Sequence, residues 1–374
     1  MSVSQRVRVL KKIQRIRNSK VIVLFLGTKP NLPTQMGADS IRYIYDHLEK
    51  IKQCDNLDLF LYTAGGDTHT PHRLTRLLRE FCNNFSILVP FKAASAGTLL
   101  CLGANEIVMG KMGELSPIDP TTANPFNPVN LHDKKKVIPI SVEDVTSFLA
   151  LAEEKGLIRG EEKTLEVFKD LTGQRDLAIH PLALGNVYRA LRLIRDIAQK
   201  QLLLHFDKKE SAKIQRIVQN LTELIYSHQY LIDRKEAQDM ELNIVEAESI
   251  SGLHENMWKL YKYYEHEIKM LEPFNPISLL PQQTPAQQVT LPGNRNIQLP
   301  QGVPPQQAQQ ILAQVQRNIT PTRVQVPFEN CAAFIESEGI THTYKYSGTI
   351  VGTVLPTGKK EINVDMTSKW EKTR

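Results

Sequence analysis

Cysteine is scarce in this sequence. The four residues present, Cys54, Cys82, Cys101 and Cys331, form no CxxC pair and have no histidines clustered beside them. A structural zinc site needs four such ligands at short spacings, so no metal is expected. Three of them, Cys54, Cys82 and Cys101, lie in or beside apolar runs, where a free thiol behaves as a small hydrophobe. That usage fits a reducing compartment. Long hydrophobic runs are missing too: no stretch of about 18 apolar residues occurs, so no membrane span is expected. Arg and Lys interrupt the first twenty residues and leave no apolar signal core. The chain therefore reads as cytoplasmic and soluble. It has neither a GxxxxGK[ST] loop nor a GxGxxG loop, which removes the usual backbone cradles for ATP and NAD, and no cofactor is expected. Internal repeats at solenoid periods are absent.

What is present suits one or two domains with a sizeable core: 374 residues, 41% hydrophobic and 23% charged. The net charge of +6 is modest and spread out. Its densest run, residues 6–20, could touch nucleic acid or acidic lipid. The same stretch has Val3, Val7, Leu10, Ile13 and Ile16 at spacings of three to four, the pattern of a helix with one apolar face and a solvated basic one. Nucleic acid is not expected as a partner.

Further along, residues 21–26 (VIVLFL), 57–62 (LDLFLY), 85–89 (FSILV) and 106–109 (EIVM) read as buried strands. Helical patterns over 41–51, 71–81 and 94–104 fall between or after them. This alternation predicts a parallel sheet with crossover helices, an α/β fold. Residues 142–264 read as mainly helical, most clearly over 187–204 and 214–226. Residues 271–322 are rich in Pro and Gln, poor in charge, and read as a linker with at most a short helix over 308–315. Strand signals return at 341–346, 349–354 and 361–364, predicting a small C-terminal β module. The expected divisions are 1–270, 271–322 and 323–374.

Two segments carry the chemistry. Thr63-Ala-Gly-Gly-Asp67 closes the second strand, and its two glycines allow a sharp turn that leaves N–H groups exposed. Ala93-Ala-Ser-Ala-Gly-Thr98 follows the third strand and opens an apolar helix. A serine there presents its hydroxyl at a helix N-terminus, where the next N–H and the helix dipole can stabilise an oxyanion. Each segment alone is commonplace, one as a turn and the other as a helix cap. In this order, on successive strand ends, they weigh more than either does alone.

TAGGD, then VPFKAASAGTLLCLGANEIVMG, then GELSPIDP resembles the Clp-protease/crotonase superfamily. The likeness is to the serine dehydrogenase proteinase branch, with signal peptide peptidase A more distant. It is good over residues 21–119, continues weakly to about 242, and leaves everything beyond 271 outside. It implies a β-β-α spiral with a helical extension and a ring or stacked homo-oligomer. Ser95 would be the nucleophile, and the N–H groups of Gly66 and Ala96, 29 and one residue from Ser95, the oxyanion hole. The general base stays open. Clp proteases place a His soon after the nucleophile, but LSPID stands at that point here. Signal-peptide-peptidase relatives use a Lys, and Lys134, Lys135 and Lys136 lie in the corresponding part of the chain. His228, in YSHQYLID, resembles the family's Thr-His-Asp-Tyr-Pro-Ile stretch, and an ordinary imidazole suits a base at neutral pH. The family's Asp after that His is Gln229 here, so Asp119 is the remaining orienting acid. His69 and His72 would line the groove or stand as exposed polars, His132 is similar, and His180, before a proline, marks a helix start.

The expected activity is peptide-bond hydrolysis by a serine peptidase acting on a peptide or protein. Without an ATPase motif it would act independently of ATP or through a separate unfoldase. Two rivals remain. A crotonase-type acyl-CoA enzyme would need the paired N–H groups but not Ser95. A non-catalytic oligomeric scaffold would use the linker and β tail to hold a protein partner.

Overall fold

Residues 21–26 are apolar at every position and buried at every position, so this strand must be covered on both faces. The structure is a computed structural model. It describes residues 3–118, 121–122, 124–129, 133, 136–141, isolated residues between 145 and 169, 180–222, 227, 230–280, 322–354 and 360–374. Strand β1 (Lys20–Leu26) lies near the middle of an eight-stranded sheet. On one side of it run β2 (Cys54–Tyr62), β3 (Cys82–Val89), β5 (Glu106–Met109) and β10 (Ile244–Glu246), all parallel. On its other side lie β11 (Thr322–Ser337), β12 (Ile340–Val354) and β13 (Lys360–Lys372), all antiparallel.

Alternate residues of the strands feed two cores. Ile22, Leu24 and Leu26 pack with α2 (Asp39–Ile51), α3 (Thr70–Arg79), α4 (Ala96–Cys101), α5 (Pro181–Leu202) and α6 (Ser211–Thr222). Val21, Val23 and Phe25 face the other way, onto α1 (Val3–Arg17) and α8 (Leu253–Ile268); the short α7 (Arg234–Asp239) precedes β10. Each such side chain contributes about 1.5–3 kcal/mol by leaving water, and the two-sided burial explains why these strands read as continuous apolar runs.

A second, small sheet stands beside the first. It orders β4 (Lys92–Ala93), β6 (Glu114–Leu115) and β9 (Ile232–Asp233), and Thr63 joins it by a bridge to Ala93. Long strand, short strand, helix is thus the local unit: β3, β4 and α4 form one. The expected mixed α/β fold with its C-terminal β strands is present. A separate pair, β7 (Thr121–Thr122) and β8 (Ile140–Ser141), belongs to another small core in which Ile140 packs on Ala183, Val187 and Leu191 of α5.

Several boundaries differ from those expected. The helix expected over 94–104 begins only at Ala96, because Ser95 has φ +53 and cannot continue a helical turn backwards. The C-terminal strands are much longer than the pattern suggested, and β11 gave no sequence signal. Pro327 and an irregular register between Cys331 and Ala333 break its alternation. The β module is also continuous with the main sheet, since Ala333–Glu336 pair with Leu26–Val23. Residues 271–280, expected as linker, pack instead: the Phe274 ring lies tilted against Phe328 with centroids 5.0 Å apart, and a short helix, α9 (Pro276–Leu279), follows. Residues 281–321, with the helix expected at 308–315, lie outside the described residues. The basic N-terminal run is partly spent internally, with Arg6 paired to Glu336 and Arg17 to Asp58.

Candidate active site

The carboxyl ends of β2 and β3 deliver the two motifs to one place. The Thr63 N–H donates to the Lys92 carbonyl at 3.0 Å, and the Ala94 N–H donates to the Thr63 carbonyl at 3.1 Å. Gly65 and Gly66 follow with φ +111 and +151. A Cβ on Gly65 would come within 2.9 Å of the Ser95 Cβ, and one on Gly66 within 2.3 Å of the Met36 carbonyl oxygen. Glycine is therefore required at both positions, for conformation and for space. The turn is strapped from below, since the Met36 N–H donates to the Gly65 carbonyl and the Asp67 N–H to the Met36 carbonyl, at 2.7 and 2.8 Å. The Asp67 carboxylate then accepts from the Thr70 N–H and hydroxyl and from the His69 N–H. Burial alone would raise its pKa. Those hydrogen bonds, the Thr70 hydroxyl first, hold it below the ordinary carboxylate range.

Ser95 sits at the start of α4 with φ +53 and ψ −111, a combination that non-glycine residues adopt only under constraint. The constraint is visible. Its N–H donates to the Ser116 Oγ at 2.7 Å, and Ser116 donates in turn to the Pro117 carbonyl. The Ser116 N–H is held by the Thr98 Oγ1, which donates to the Ala93 carbonyl. Beneath the helix, a Cβ on Gly97 would stand 2.6 Å from the Thr63 Cγ2, so α4 seats directly on the end of β2. The Ser95 backbone is thereby fixed on three sides, while its hydroxyl has no hydrogen-bond partner among the described residues. Nor do the N–H groups of Gly66 and Ala96 donate to any described residue. Ser95 and Gly66 are half-buried and Ala96 fully buried. The geometry offers one hydroxyl, two free N–H groups on neighbouring backbone segments, and the start of a short helix.

Residues 1–178 match the family model of the ClpP-like SDH-type serine proteinases. The family likeness drawn from the motifs holds, and it supports a serine peptidase at the level of the family. Among curated proteins, the uncharacterized protein MJ1495 of Methanocaldococcus jannaschii is 25% identical over 179 residues, 46% of this chain and 60% of the relative's own length. The uncharacterized protein MJ0137 of the same organism is 22% identical over 270 residues, 71% of this chain and 80% of the relative. Two solved structures are also similar. One is a 1510-N membrane-bound stomatin-specific protease in serine-to-alanine form, at 18% identity and TM-score 0.22, covering 39% of this chain and 87% of that one. The other is methylmalonyl CoA decarboxylase with 2S-carboxypropyl CoA, at 14% identity and TM-score 0.23, covering 60% of this chain and 91% of that one.

Of the ClpP-like site residues named from the sequence, Ser95, Gly66 and Ala96 come together. His228, Asp119, Lys134 and Lys135 lie outside the described residues. Lys136 is described: it is exposed and paired with Asp133 at 3.5 Å. His69 caps the exit of the turn, exposed, and its Nδ1 lies 3.2 Å from Asp67. His72 lies in α3, with its Nδ1 buried and without a hydrogen-bond partner among the described residues. Sequence reasoning missed Ser116 and Thr98, which set the Ser95 backbone. Both lie inside quoted motifs, and their β-branched or hydroxyl character gave no sign that they bond across 18 residues. Among the described residues no group of three or more His, Cys, Asp or Glu side chains could hold a metal, and no helix is long and apolar enough to cross a membrane.

Proposed function

We propose that this chain is a serine peptidase in which Ser95 attacks the scissile carbonyl and the N–H groups of Gly66 and Ala96 receive the oxyanion. The observation that carries this reading is the constrained backbone of Ser95, with its free hydroxyl beside two N–H groups that have no described partner. Preorganised donors of this kind stabilise a developing oxyanion without rearranging, and losing one costs on the order of 10²–10³-fold in rate. The paired N–H groups alone would also serve an acyl-CoA enolate. A strained, unpartnered serine hydroxyl between them has no use in that chemistry and favours hydrolysis.

The base in this proposal is His228. The strand that follows it, Ile232–Asp233, pairs with Glu114–Leu115, and Glu114–Leu115 pairs with Lys92–Ala93. The segment after His228 thus enters the same small sheet as the segment that carries Ser95, next to Ser116. The lysine run belongs to a different stretch, between β7 and β8, whose core partner is α5. The acyl-enzyme would then be released by water activated by the same base. Asp119, and a homo-oligomer enclosing the site, remain parts of the proposal supported by the family likeness alone.

The test is fluorophosphonate labelling of the native protein beside Ser95→Ala and His228→Ala. Labelling lost in both, with folding intact, supports the reading. Labelling lost only in Ser95→Ala moves the base to Lys136 or its neighbours. A wild-type protein that stays inert across its oligomeric states sinks the peptidase reading and leaves the non-catalytic scaffold.

A further inference from the structure

Between the loop that straps the Gly65–Gly66 turn and the C-terminal strands lies a cavity of about 410 Å³. Its floor is Leu26, the last residue of β1. One wall is Thr34 and Gln35, immediately before Met36; the other is Tyr344, Tyr346 and Trp370 of β12 and β13. The volume falls in the range of specific ligand sites. The rings form a connected array, with Tyr344 5.2 Å from Trp370 and 5.6 Å from Tyr346, edge to face. Their polar ends are anchored: Tyr346 donates to the Pro33 carbonyl at 2.7 Å, and the Trp370 Nε1 donates to the Asp39 carboxylate at 2.9 Å.

Asp39 also lines the cavity. Apart from the Trp370 indole it has no partner among the described residues, and no Lys or Arg pairs with it; the nearby Arg42 is engaged by Asp46. Three aromatic rings and a carboxylate without a Lys or Arg partner among the described residues line this one cavity, a composition that suits a cation. A ring face attracts a cation by about 0.5–2 kcal/mol, and the carboxylate adds a charge-assisted hydrogen bond. The location supplies the rest. Leu26 ends a strand parallel to β2 and β3, so the cavity opens at the same edge of the sheet as Ser95, on the α2–α4 face. Its wall continues directly into Met36, whose backbone is bonded to the Gly65 carbonyl and the Asp67 N–H.

We infer that this cavity is a specificity subsite that takes the side chain of a lysine or arginine of the peptide substrate. The inference rests on the peptidase reading for its purpose. It also assigns a role to the β module, because Tyr344, Tyr346 and Trp370 lie beyond the residues 1–178 matched by the family. Basic peptides would be held through strands that the family motifs do not include.

The experiment reads binding rather than turnover, so it stands apart from the peptidase reading. The full-length Ser95→Ala chain also carries Trp258→Phe, which leaves Trp370 as the one tryptophan. Acetyl-Ala-Ala-Lys-Ala-Ala-amide is titrated against its norleucine counterpart and against choline, with Trp370 fluorescence as the signal. The lysine peptide is expected to bind at least tenfold tighter than either. Asp39→Asn, which keeps an oxygen for the Trp370 indole, and Tyr346→Leu are each expected to remove most of that preference while circular dichroism stays unchanged. Equal binding of the lysine and norleucine peptides, a preference that survives both substitutions, or no Trp370 response to any peptide overturns the subsite. Choline binding as tight as the lysine peptide overturns the peptide assignment in favour of a free cation. Labelling of wild-type Ser95 without any lysine preference would remove this inference alone. Lysine preference in a chain whose serine is inert would remove the peptidase reading alone.

Discussion

Two serines of this chain sit at opposite extremes, and the one that looks less like a catalytic serine by hydrogen bonding is the better candidate. Ser337, at the end of β11, is bonded to the His47 Nδ1 at 2.7 Å, and the His47 Nε2 is bonded to the His342 Nδ1 at 3.1 Å. The His342 Nε2 lies 3.9 Å from Asp46. Serine, imidazole, imidazole, carboxylate is the order of a proton relay. Yet Ser337 is 1% exposed and His47 fully buried, so no substrate reaches either. These residues sew α2 to the C-terminal strands. Ser95 has no visible relay, but it is half-buried, has φ +53, and stands beside two unpartnered N–H groups. Strain and unused donors make Ser95 the candidate nucleophile, whereas a completed set of hydrogen bonds gives Ser337 a structural place.

The sharpest way to break that comparison is to exchange the losses. Ser95→Ala is expected to abolish fluorophosphonate labelling and leave Tm within about a degree, since its hydroxyl bonds nothing described. Ser337→Ala is expected to leave labelling intact and lower Tm by a few degrees, because a buried imidazole loses its partner at a cost of about 1–3 kcal/mol. The opposite pattern in either protein would invert the assignment. Next in size is Gly66→Ala. A methyl 2.3 Å from the Met36 carbonyl must displace the turn, and labelling or hydrolysis should fall by about 10²-fold or more as one oxyanion donor moves away. Smaller again is Ser116→Ala, which orphans the Ser95 N–H. Labelling should slow about tenfold with a modest loss of Tm, and Ser116→Thr, which keeps the hydroxyl, should recover most of the rate. Equal rates for all three residues at position 116 would show that φ at Ser95 is set elsewhere.

The parallel half of the fold and the place of Ser95 were legible in the sequence because each rests on a local signal. Residues 21–26 and 85–89 are strands buried on both faces, which reads as an unbroken apolar run. The turn at 65–66 needs positive φ and no side chain, which reads as Gly-Gly. What stayed illegible is held by distant partners. The extension of β1 by β11 depends on pairing across some 300 residues, and the Ser116 bond to Ser95 spans 21. The seam of His47, Ser337 and His342 joins residues that give no motif in either stretch. The aromatic cavity likewise gathers Leu26, Asp39 and Trp370 from three parts of the chain. Lys136 is a candidate by its position along the chain alone, and the structure shows it exposed and paired with Asp133, a local contact that the sequence did not signal.

The seam should also differ from the candidate active site in how it responds to acid. Burial, and then the neighbouring His342, push the His47 imidazole down to about 3; burial also lowers His342, against the pull of Asp46. Asp46, Lys50, Lys372 and Arg42 are the other charges facing the pair. Both rings are therefore neutral in the folded protein at pH 7, and the direct contact between their nitrogens needs at least one of the two unprotonated. In the unfolded chain they titrate near 6.5. Below that value the unfolded state binds protons that the folded state refuses, so stability is fully present above pH 6.5 and falls as pH drops toward 3. Between pH 7.5 and pH 5, His47 alone accounts for a loss of about 2 kcal/mol. Urea unfolding at the two pH values measures it, with His47→Gln as the comparison. Glutamine can still meet Ser337 but cannot titrate, so the variant should be less stable at pH 7.5 and lose about 2 kcal/mol less on acidification. An identical pH slope in both proteins would show that this seam does not sense protons. Ser95 labelling over the same range should instead follow the protonation of its own base, so that a labelling profile superimposing on the stability profile would tie the two regions together.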